Sequence, residues 1–234
     1  MSINFGFGAI YLNFLNFLVA YPMRSDLLNL LREGHVASYI ALFKQRQSMP
    51  SNQSRFISLL VSLENAQRGS DKGANFAASN DMARFLDNDG SHECIKYYVA
   101  AAEAAAALSM NDLVIEANQN LANAYFIRGL FELALPLHKK NLGLVSKQNQ
   151  KQGESSFKNP DGAALGVRKG LRETLAAMAD HLEDIGDYPE AIRCLLECCE
   201  HCEVEGSPND MIFRLGNVYL KSNDVLQAAN VIFF

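Results

Sequence analysis

Four of the five cysteines, Cys194, Cys198, Cys199 and Cys202, stand with His201 inside one short stretch, and thiolate with imidazole is a good zinc-binding set. Residues four apart share a helix face, so the group could converge. The spacing argues otherwise. Structural zinc sites set short pairs on turns and separate the two pairs by a long stretch, whereas this group falls on one helix after Tyr188. Cysteine is also an ordinary small buried residue, and position 198 falls where the pattern described below asks for one. Nucleophilic catalysis needs a positioned base, and His35, His92, His138, His181 and His201 lie in separate segments with no motif around them. Glu183, Asp184 and Asp187 read as a solvated acidic helix end, and Gly162 and Gly166 do not form a phosphate loop. The expectation is a chain that is not an enzyme, with no cofactor, no metal and no catalytic residue.

The elements that carry these residues are helical. The 234 residues are 49% hydrophobic, enough to bury a sizeable core, and apolar residues recur at helical rather than alternating spacing. Net charge is -5, and the 21 lysines and arginines are scattered, which excludes the basic stripe that nucleic acid needs. The irregular cysteine spacing fits a reducing compartment. Residues 1–23 form an apolar segment of their own kind: Met1–Tyr21 is uncharged, rich in Phe, Leu, Ile and Tyr, and interrupted by Asn4, Asn13 and Asn16. It lacks the positive start of a signal peptide and carries amides that are expensive in a bilayer. A membrane or signal segment and a docked helix are both weighed, but the composition fits translated AT-rich non-coding sequence better, which sets the expected start at Met23. A membrane partner is expected only if that segment is real.

One pattern recurs after a leader at 24–72. A large apolar residue and a small one are followed by an aromatic or apolar residue, then Gly or Asn, then a second helix with Ala. It reads Leu121, Ala122, Tyr125, Gly129, Phe131, Ala134; then Met178, Ala179, Leu182, Gly186, Tyr188, Ala191; then Leu215, Gly216, Tyr219, Asn223, Val225, Ala228. A weaker copy has Met82, Ala83, Leu86, Gly90, Ile95 and Ala102, with Asp87–Gly90 as its turn and the run Ala100–Ala107 as its second helix. The small residues stand 39, 57 and 37 apart, near the roughly 34-residue tetratricopeptide period with one insertion. The fold class expected is all-α, a right-handed superhelical solenoid of tetratricopeptide-like antiparallel helix pairs over 73–234. The insertion, at about 146–169, is polar and contains Pro160, and reads as a loop. The chain stops in the second helix of its last hairpin, so further elements are expected to follow.

In such a solenoid the first helices line a groove. Projecting the period places Glu116, Gln119, Asn123 and Phe126 there, then Glu173, Asp180 and Glu183, then Phe213, Asn217 and Leu220. The middle of that groove reads as acidic, unlike repeats that clamp a C-terminal carboxylate with Lys and Arg.

The leader carries Leu30, Leu31, Arg32, Glu33, Gly34 and His35, then Ser38, Tyr39, Leu42 and Phe43. This stretch resembles the leader helix of the tetratricopeptide repeat protein 29 family, and the likeness runs on through the repeats over roughly Asp26–Val231. The resemblance implies a non-catalytic scaffold of motile cilia and flagella, in the cytoplasm and cytoskeleton at the axoneme. The partners it implies are inner-arm dynein subunits or another tetratricopeptide protein of the axoneme. The repeats alone fit equally a cytosolic adaptor in signalling or transport.

Overall fold

The computed structural model describes residues 24–44, 52–152, 161–201 and 208–233. Among the described residues every regular element is an α-helix: α1 (Arg24–Arg32), α2 (Val36–Lys44), α3 (Gln53–Gly69), α4 (Lys72–Asn88), α5 (Cys94–Leu108), α6 (Asn111–Ile127), α7 (Phe131–Gln152), α8 (Asp161–Asp184), α9 (Tyr188–Glu200), α10 (Pro208–Lys221) and α11 (Val225–Phe233). Each helix packs mainly on the next in sequence, and α6 also meets α8. The product is a tetratricopeptide-like stack of hairpins, α4–α5, α6–α7, α8–α9 and α10–α11, with α1, α2 and α3 packed before them. None of the described helices is long and apolar enough to cross a membrane.

The four hairpins are turned by one device. Gly90, Gly129, Gly186 and Asn223 sit at positive φ, between 64° and 81°, just past the end of each first helix. The following N–H returns to a carbonyl five residues back: Ser91 to Leu86, Leu130 to Tyr125, Asp187 to Leu182 and Asp224 to Tyr219, all 2.9–3.0 Å. Orphan carbonyls at the helix end are thereby satisfied, and the left-handed residue sends the chain back along its own helix. Gly34 (φ 80°) does the same between α1 and α2, with His35 N–H bonding Leu30 O at 2.8 Å, so the leader is itself a hairpin.

Ala83, Ala122, Ala179 and Gly216, the small residues of the repeat, are all buried. Around them Met82, Leu86, Leu121, Leu171, Leu175, Leu182, Leu215 and Val218 form the core of the stack. Each hairpin leaves an apolar side for the next to cover, so stability accumulates neighbour by neighbour.

The long loop expected at 146–169 is a misreading for most of its length. α7 continues to Gln152 and α8 begins at Asp161, leaving only 153–160 between them, outside the described residues. Two features disguise these helices. Lys and Gln, which fill the stretch, are good helix formers as well as polar. The buried stripe of α7 is Ala134, His138, Asn141 and Val145, and two of its four members are polar, so hydrophobic periodicity fades where the helix is in fact buried. The apolar N-terminal segment lies outside the described residues, as does Cys202.

Candidate protein-binding groove

The first helices of successive hairpins, α4, α6, α8 and α10, adjoin along one face, and every residue projected into the groove lies on this set. At the α4/α6 seam Arg84 reaches across to Glu116, Nη2 to Oε1 3.3 Å, and Asn120 donates to Asn80 at 3.0 Å. Arg128, largely buried at the end of α6, donates to Asp87 Oδ1 at 2.8 Å and to the Ser91 carbonyl at 3.2 Å, tying α6 to the first hairpin turn. Beside it, burial and the neighbouring Asp87 carboxylate push the Cys94 thiol up to about 11 and the Tyr98 phenol up to about 12. Neither ionises at neutral pH, which makes Cys94 a packing residue rather than a nucleophile.

The α8/α10 seam is built in the same way. Arg214 pairs with Asp180 and also donates to the Ala176 carbonyl at 3.3 Å, while Lys221 donates to Glu183 at 2.8 Å. The acidic middle of the groove read from the sequence is therefore corrected: Asp180 and Glu183 are answered by cations of the next first helix, and Glu173 by Lys169 one turn away at 3.9 Å. A sequence read one helix at a time hides this neutralisation, because the partners lie 34 and 38 residues apart. Alongside these pairs Phe213 and Leu220 are 61% and 47% exposed, with Asn217 half-buried between them. Three sites on one helix face thus present two apolar side chains flanked by charge.

The α6/α8 seam differs. Among the described residues no ion pair joins its two first helices. Its upper part holds a cavity of about 460 Å³ lined by Asp112, Ile115, Glu116, Gln119, Gln148 and Val167, among others. In its middle, Gly170 of α8 meets His138 of α7 so closely that a Cβ there would lie 2.7 Å from the imidazole Cε1 and 2.9 Å from Gln119 Nε2. His138 is 1% exposed, with Nδ1 unpartnered among the described residues, and burial holds its pKa below the ordinary value. At the lower end Phe126 packs edge-on against Phe131, centroids 5.7 Å apart, and Phe131 meets His181 at 6.5 Å. Phe126 is therefore part of an inter-hairpin aromatic row, only partly open to a ligand. Asn123 is exposed and accepts from Gln119 at 3.4 Å.

Two of the clustered cysteines belong to the core, and Cys199 is partly exposed. Cys194 and Cys198 are buried on the inner side of α9, where Cys198 Sγ approaches the Arg172 carbonyl at 3.7 Å and Met211 Sδ at 3.8 Å. His201, half-buried, stands at the C-cap of that helix, its backbone N–H donating to the Cys198 carbonyl at 3.2 Å. Among the described residues no three of His, Cys, Asp and Glu converge to hold a metal.

The leader holds a site the sequence did not reveal. Glu64 of α3, 5% exposed, accepts from the N–H groups of Ala37 and Ser38 (3.3 and 2.9 Å) and from Ser38 Oγ (2.7 Å), with Arg68 also bound to it. It caps α2 from another helix, satisfying donors that α2 cannot satisfy itself. Burial alone raises its pKa, but the Ser38 hydroxyl, the two N–H groups and Arg68 outweigh that and hold it below the ordinary value. Leu30 and Leu42 are buried and Tyr39 stacks on Phe43 at 6.2 Å, so these positions of the leader motif are accounted for by packing, whereas Leu31, Arg32 and Glu33 are exposed.

No protein-family model matches the chain, and no curated protein matches it. Among solved structures it is similar to a Podosopora anserina protein of nearly identical TPR-like repeats of kinesin light chain type, with 15% identity over 85% of this chain and 90% of that one and a TM-score of 0.46; a substituted form of that protein gives the same values. It is also similar to BtubC (BKLC) from P. vanneervenii, with 14% identity over 77% of this chain and 87% of that one and a TM-score of 0.38.

Proposed function

We propose that this chain is a non-catalytic protein-interaction scaffold that works at the axoneme of motile cilia and flagella, associated with inner-arm dynein. The observation that carries the scaffold reading is the α8/α10 seam: Phe213 and Leu220 stand exposed on one face, framed by Arg214–Asp180 and Lys221–Glu183. Large apolar side chains ringed by charge are the composition of a protein-binding surface. Among the described residues Cys94, Cys194 and Cys198 are buried in the core and the histidines lie on separate helices or turns, with no group of three His, Cys, Asp or Glu converging. The axonemal part rests on the leader resemblance.

The test is to tag the protein at its own locus, isolate cilia and strip them with detergent. Retention on the microtubule fraction with release by high salt alongside dynein subunits is the expected result. Absence from cilia together with a diffuse pool returns the cytosolic adaptor in signalling or transport instead. Within the retained fraction, Phe213→Asp is expected to abolish capture of partners while leaving helix content unchanged.

A further inference from the structure

Resting on that scaffold reading, we propose that the cavity between α6, α7 and α8 receives a positively charged side chain, arginine or lysine, of an extended partner peptide. At about 460 Å³ it falls within the roughly 300–1,000 Å³ of small-ligand pockets, enough for one long side chain and the backbone beside it. Ile115 and Val167 supply apolar wall for a methylene stem.

The polar lining is rich in acceptors. Gln148 donates to Asp112 Oδ1 at 2.8 Å, and Arg84 and Asn80 both meet the same oxygen of Glu116, Oε1, at 3.3 and 3.4 Å. The second oxygen of each carboxylate is left for a donor. Gln119 Oε1 is buried and has no hydrogen-bond partner among the described residues, an unsatisfied acceptor of the kind that a ligand donor would complete. Among the described residues no cation lines the cavity, and Lys169, one turn beyond Gly166, is engaged by Glu173. An anionic ligand would meet the Asp112 carboxylate, which no cation among the described residues answers, and that of Glu116, which Arg84 offsets only from one oxygen at 3.3 Å, so charge complementarity selects a cation.

The probe is the pentapeptide acetyl-Gly-Ala-Arg-Ala-Gly-amide, with a counterpart in which uncharged citrulline replaces arginine at nearly constant shape. Titrated into the isotope-labelled full chain, the arginine peptide should shift the Gln119 side-chain amide and the backbone amides of Gly166 and Val167, and citrulline should bind about tenfold or more weakly. The double change Asp112→Asn with Glu116→Gln should remove the preference, while Glu183→Gln, at the neighbouring seam, leaves it intact. Equal binding of the two peptides, binding that survives the double change in a folded protein, or no shift with arginine overturns the cavity proposal. Partner capture through Phe213 is read separately: if it persists while the peptide fails, only the cavity proposal falls, and if it too is absent the scaffold reading falls.

Discussion

The α4/α6 and α8/α10 seams are clasped by arginines, whereas the α6/α8 seam between them has, among the described residues, no charged clasp and instead holds a cavity, a buried imidazole and a row of rings. The difference follows the spacing. Where the period is 39 or 37 residues, one first helix lies against the next in a register that lets Arg84 or Arg214 reach a carboxylate on its neighbour. Where it stretches to 57, α7 and α8 are longer than their counterparts, and close packing of His138 on Gly170 replaces the charged contacts. One fold therefore joins its repeats in two ways, by long-range polar clasps and by a close steric fit.

The sharpest way to break this contrast is Gly170→Val. A side chain there meets His138 and Gln119 at once, and overpacking of this kind costs about 1–3 kcal/mol, with β-branching adding to it. Urea unfolding followed by hydrogen exchange should show the loss centred on α7 and α8. Arg128→Ala removes the buried partner of Asp87 and should cost about 1.5–3 kcal/mol, read from the same denaturation midpoint and confined to the first two hairpins. If both variants unfold the whole stack alike, the seams are not independent.

Acid should separate the regions by pH. His138 is neutral in the folded chain because burial lowers its pKa, so the unfolded state takes up the proton more readily and stability falls as pH drops through and below the ordinary histidine value of about 6.5. Glu64 works at a different pH: its carboxylate pKa is held below 4.5, so its contribution is present above that value and is lost as pH falls through the lower folded one. Acid titration monitored by amide exchange should open α7 and α8 before it frees α2, and His138→Leu should remove the first step. The smallest effect is expected from Arg214→Ala. Asp180 is well exposed, and such surface pairs are worth about 0.2–1 kcal/mol, weakening further with salt.

The repeat was legible because its small residues and turn formers occupy fixed places: Ala122, Gly129 and Ala134 recur in kind at Ala179, Gly186 and Ala191, and each does the same job in the structure. The longer helices around the insertion were not, because His138 and Asn141 stand where a hydrophobic stripe would have announced α7. Glu116 and Gln119 do line a cavity, but its floor includes Gln148 and Val167, which come from helices the sequence reading had dissolved into a loop. The clasps of Arg214 on Asp180 and Arg128 on Asp87 span 34 and 41 residues, beyond any local pattern. The leader motif was conspicuous for residues that pack, whereas its anchoring partner, Glu64, carries no signature at all.

That anchor has a consequence for how the chain is made. Residues leave the ribosome in order, so the segment of α2 emerges 26 residues ahead of the carboxylate that completes its first turn. A nine-residue helix is too short to persist alone in water. α2 therefore stays unformed until α3 has been synthesised and folded back on it, so this hairpin takes shape only together with the helix that follows it.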